Sequence, residues 1–90
     1  MNKYLLRTLS SDGRISVRVC NAKEVCDTLE YSDLNEIIQY DVKLIDEKKI
    51  AFHRVRITSR TVDYSTGMHY LFILNSKNEI IDDVQYLSDH

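Results

Sequence analysis

The chain has 90 residues, with 12 basic and 14 acidic side chains giving a formal net charge of -2, and it is 43% hydrophobic and 29% charged. That length holds one modest core, so a single domain over residues 1–90 is expected. The hydrophobic fraction excludes a disordered chain, the charge balance excludes global steering toward polyanions, and no apolar run approaches the roughly 20 residues of a membrane-spanning helix.

Residues 4–9 (YLLRTL) form the first predicted strand, with Leu5, Arg7 and Leu9 on one side and Tyr4, Leu6 and Thr8 on the other. Asp12-Gly13 is the strongest turn signal in the chain, because that dipeptide suits a tight hairpin. Residues 14–20 then alternate. Ile15, Val17 and Val19 are expected inward, and Arg14, Ser16, Arg18 and Cys20 outward. The two strands should pair antiparallel.

Asn21 followed three positions later by Glu24 is the pattern of a capping box at a helix start. Val25 and Leu29, with Ala22 and Cys26 beside them, give a narrow apolar stripe. A second turn is expected from Ser32 through Leu34, Ile37 and Ile38, making one broken helix or two short helices over residues 22–40. The expected class is α+β, a small antiparallel or mixed sheet packed by that helical region on one side.

Val42 and Leu44 begin a central hairpin whose polar DEKK turn lacks a glycine. Residues 50–60 read as the long strand that organises the fold. There Ala51, His53, Val55 and Ile57 share a side expected to be core, and Phe52, Arg54, Arg56 and Thr58 share the other. Residues 68–74 (MHYLFIL) are apolar on both faces, so this strand needs cover. After a polar turn at residues 75–78, residues 79–87 form an edge strand, where Asp82 and Asp83 on opposite faces discourage sheet extension.

Chemistry is sparse. There is no G-x-S-x-G elbow, no H-E-x-x-H and no glycine-rich phosphate loop, so no catalytic residue is assigned. His53, His69 and His90 do not have metal-ligand spacing, and Cys20 and Cys26 have five residues between them, unlike a redox pair or a zinc knuckle. Neither a metal nor a cofactor is expected. With two cysteines and an amino end without a continuous apolar stretch, a reducing, cytoplasmic location is expected.

What remains is binding. Six tyrosines against two phenylalanines and no tryptophan supply rings with an apolar body and a polar tip, which suit interfaces. The candidate interaction residues are Phe52, Arg54, Arg56, Tyr70, Phe72, Arg14 and Arg18. A non-catalytic protein-interaction or regulatory module, such as an adaptor, inhibitor or small assembly subunit, is the leading reading, with a protein partner or a homodimer and no membrane. The alternative is nucleic-acid binding, if Arg14, Arg18, Arg54 and Arg56 align on one sheet face with aromatics for stacking.

The opening segment KYLLRTLSSDGRISVRVCNAKEV resembles the first hairpin and following segment of the redox-regulated, zinc-binding chaperone family. The resemblance covers about the first quarter of the chain. That family's cysteine-rich zinc module has no counterpart here, so the resemblance implies no function or site residue.

Overall fold

A computed structural model of the chain describes residues 2–31, 36–63 and 65–87. It shows an α+β architecture of two antiparallel sheets and one short helix. Strands β1 (Lys3–Ser10), β2 (Ile15–Cys20), β3 (Ile37–Asp46) and β4 (Ala51–Arg54) form a sheet ordered β2-β1-β3-β4. Strands β5 (Arg56–Asp63), β6 (Met68–Leu74) and β7 (Ile80–Leu87) form the second, in sequence order.

The local signals act as expected at three places. In the first hairpin Gly13 takes φ +87, a conformation that side chains resist, while Ser10 N–H donates to the Arg14 carbonyl at 2.9 Å. Asp12 accepts from the Arg14 backbone N–H at 3.1 Å and from its guanidinium at 2.7 Å. At the start of α1 (Ala22–Tyr31), Asn21 Oδ1 accepts from Glu24 N–H at 2.8 Å and Glu24 Oε1 accepts from Asn21 N–H at 3.2 Å, closing the capping box. At the last turn Asn75 Oδ1 accepts from Lys77 N–H and Glu79 N–H, and Asn78 adopts φ +63.

Helix α1 lies on one face of the first sheet, and β7 closes against the same side, so both sheets share one core. Tyr4, Leu6, Cys20, Val25, Val42, Val55 and Ile73 are its buried members, with Leu29, Leu44, Ile57 and Ile81 packed around them. Tyr4 is fully buried, and its hydroxyl donates to Asp82 of β7. Burial, reinforced by that hydrogen bond, raises the phenol's pKa well above its ordinary value, so the ring stays neutral.

Three expectations are corrected. Ile37 and Ile38 belong to β3, not to a second helix. Both are β-branched, and pairing with β1 outweighs their weak helical spacing. Residues 32–35, including Ser32 and Leu34, lie outside the described residues. The strand expected over residues 50–60 is two strands, because the chain leaves β3 at Val55 and joins β6. Finally, β2 presents the opposite face to the one its alternation suggested. Ile15, Val17 and Val19 are exposed and Cys20 is buried, because the helix covers the face that carries Tyr4, Leu6 and Thr8.

Candidate functional site

The register of the first sheet fixes what its uncovered face displays, because residues opposite one another in an antiparallel pair share a face. Val19 stands opposite Leu5, Val17 opposite Arg7, and Ile15 opposite Leu9. On the other side of β1, Leu5 meets Lys43, Arg7 meets Asp41 and Leu9 meets Gln39. Beyond β3, Lys43 meets Arg54 and Ile45 meets Phe52. The face therefore alternates short apolar rows with cations.

Its apolar members are strongly exposed. Ile15 is 61%, Val17 57%, Val19 60% and Phe52 59% accessible, and half-buried Leu5, Leu9 and Ile45 fill the ground between them. Four large apolar side chains more than half exposed on one sheet face are more than the scattered singles of an ordinary surface. The charges among them are mostly positive. Lys3 pairs with Glu47 at 3.5 Å and Lys43 with Asp41 at 3.8 Å, whereas Arg7 and Arg54 have no carboxylate within ion-pair distance among the described residues.

A cleft of about 650 Å³ opens beside this face, where the chain passes from β4 to β5 and the two sheets separate. Arg7, Arg54 and Arg56 line it together with Tyr40, Asp41 and Ile57. Asp41 is its only carboxylate among the described residues.

The candidate residues are dispersed over the molecule. Phe52 and Arg54 join the uncovered face, and Arg54 and Arg56 line the cleft. Tyr70 and Phe72 stack on the outer face of the second sheet, with ring centroids 6.4 Å apart and planes at 11°. Thr58 and Asp83 stand opposite Phe72 on that face, and the nearby Arg56 guanidinium donates to Asn78 Oδ1. Arg14 precedes β2 and is held by Asp12. Arg18 points to the helix side, where its guanidinium donates to Thr28 Oγ1. The alignment of Arg14 and Arg18 with Arg54 and Arg56 on one face is thus contradicted. Arg18 shares a parity with buried Cys20, and the helix fixes that parity as the covered one.

Arg7, Val17, Tyr40 and Asp41 were missed as surface residues. Arg7 carried a signal, since a cation flanked by Leu5 and Leu9 on one parity marks a mixed, partly wet face. Val17 acquires meaning only through the register of β2 with β1, and Tyr40 and Asp41 only through the pairing of β1 with β3. Elsewhere the chemistry is quiet. His53 lies 3.6 Å from Asp46 at the surface. Burial raises the Cys20 thiol above its usual range, with Glu24 adding to the effect against Arg18, and this keeps the sulfur protonated. No cluster of three or more potential metal ligands occurs among the described residues, and no helix is long and apolar enough to cross a membrane.

No family model, curated protein or solved structure matches the chain, so the functional reading rests on its own residues.

Proposed function

We propose that the protein is a non-catalytic protein-interaction module, an adaptor, inhibitor or small assembly subunit, whose docking surface is the uncovered face of the first sheet. The observation that carries this reading is the exposure of Ile15, Val17, Val19 and Phe52 on one continuous face. Covering that face removes apolar area from water at about 25 cal/mol per Å². The interspersed Lys3, Arg7, Lys43 and Arg54 favour a partner whose rim is acidic, since complementary charge speeds encounter and rejects wrong partners.

The same cations, with Phe52 among them, support a second reading as a nucleic-acid-binding face. The two readings separate in one experiment. The tagged chain is captured from its source cell with and without nuclease, beside Val17→Glu and a double Arg7→Gln, Arg54→Gln variant. The protein reading expects a stoichiometric protein that survives nuclease and is lost with Val17→Glu while the variant stays folded. The nucleic-acid reading expects recovery that nuclease abolishes, with binding that weakens steeply as salt rises. Capture that neither Val17→Glu nor the arginine variant alters would remove this face from consideration.

A further inference from the structure

We propose that the cleft between β3 and β5 binds an extended, acidic segment of a partner protein by strand addition, using the open edges of both sheets. This cleft adjoins the uncovered sheet face and shares Arg7, Asp41 and Arg54 with it, while the strand edges at Tyr40 and Ile57 belong to the cleft alone.

Successive residues of a strand direct their N–H and C=O groups to alternate sides. The Val42 carbonyl accepts from Val55 N–H at 3.2 Å, so Val42 points its backbone groups toward β4 and β5. Two residues earlier, Tyr40 points the same way. Pairing of β3 with β4 extends only from Lys43 to Asp46, so Tyr40 has no strand beside it on that side.

The second sheet mirrors this. Asn75 N–H donates to the Glu79 carbonyl, so Asn75 faces β7 and Leu74 faces β5, where it stands opposite Arg56. By alternation Ile57 turns its N–H and C=O away from β6, toward the cleft. Among the described residues β5 is an edge strand, paired only with β6. The Val55 N–H bond to Val42 is therefore the apex of a V whose two arms, at Tyr40 and Ile57, each offer one donor and one acceptor that no strand among the described residues pairs.

The cleft between the arms, about 650 Å³, falls in the size range of built binding sites. Half-buried Ile57 and buried Val42 and Val55 give it an apolar floor. Its rim selects the charge of the occupant. Arg7, Arg54 and Arg56 line it against the single carboxylate of Asp41, and Lys43 already pairs with that carboxylate. Arg56 is held toward Asn78, a neutral partner, which leaves its charge uncompensated. A strand with acidic residues on its outward parity and β-branched residues on the other would satisfy both the edges and the arginines.

The test selects ligands from a random phage-displayed dodecapeptide library on the full chain, then measures synthetic copies of the enriched peptides. The expected ligands are acidic, proline-poor and rich in β-branched residues, and their binding slows amide exchange at Tyr40 and Ile57. Arg54→Gln with Arg56→Gln should weaken them by about tenfold or more, as loss of charge-assisted hydrogen bonds implies. Tyr40→Pro removes one edge donor without breaking the ladder to β1 and should abolish binding; if it fails to fold, the arginine pair carries the test. No enrichment, enriched peptides without acidic residues, or protection that leaves Tyr40 and Ile57 exchanging freely would overturn the proposal. So would slowed exchange at those amides that rises with protein concentration alone, which would make a second copy the occupant. Because Arg54 borders both surfaces, the two proposals are separated by exchange at Tyr40 and Ile57 for the cleft and by Val17→Glu for the sheet face, so either can fail without the other.

Discussion

Val17 and Arg18 are neighbours in β2, yet the sheet gives the polar one to the helix side and the apolar one to the surface. On the covered face Tyr4, Leu6, Thr8, Cys20 and Val42 are buried under α1 and β7. On the uncovered face Ile15, Val17, Val19 and Phe52 remain in water. The difference teaches that alternation determines which side chains share a face, whereas the rest of the fold determines which face is buried. Here β1 decides. Its fully buried Tyr4 reaches Asp82 across the core, and β2 must follow the register that this imposes.

The comparison breaks most severely at Leu6. Leu6→Ala empties a buried site on the covered face and should cost about 2–5 kcal/mol in urea unfolding. Val17→Ala, one strand away on the other face, should change stability by less than about 0.5 kcal/mol. Similar costs at the two positions would erase the distinction between the faces.

Tyr4→Phe is expected to cost about 1–3 kcal/mol, because it keeps the ring but removes the phenol's hydrogen bond to the half-buried Asp82 carboxylate, to which Asn2 still donates. This variant also has a pH signature. The folded pKa of Tyr4 lies above the unfolded value of about 10, so its contribution is complete below that pH. It is lost as the pH rises further toward the folded pKa. Tyr4→Phe should flatten that alkaline decline in stability, and an unchanged decline would place its origin elsewhere.

Smaller effects sharpen the account of how the chain reaches this sheet. Asn21→Ala opens the capping box of the helix that covers one face and should cost about 1 kcal/mol. In the turn between β3 and β4, Ile50 is almost wholly exposed at φ +49, a conformation that a β-branched side chain resists. Ile50→Asn should therefore raise stability by about 1 kcal/mol in the same measurement.

Much of the local structure was legible because it depends on chemistry within a few residues. Asp12-Gly13 marked the first turn, Asn21 with Glu24 marked the helix start, and Asp82 and Asp83 marked an edge strand. The parts that were not legible depend on pairing across the chain. Ile37 and Ile38 read as helix because their helical spacing was local and their partner β1 was distant. The break at Val55 carries no glycine or proline, and both flanks favour strand, so only the competition between β3 and β6 reveals it. The same holds for the candidate surface. Phe52, Arg54 and Arg56 were visible on one parity, but the cleft and the Arg7 and Asp41 that line it exist only once β1, β3 and β5 are placed together.

The most direct test of the central claim is solvent paramagnetic relaxation of side-chain methyl groups in the dilute chain, repeated with its captured partner. The account predicts strong relaxation at Ile15, Val17 and Val19 and almost none at Leu6 and Val42, with the first set becoming shielded when the partner is added. Methyl groups of Val17 and Val19 as shielded as that of Val42 in the isolated chain, or still relaxed in the complex, would contradict it.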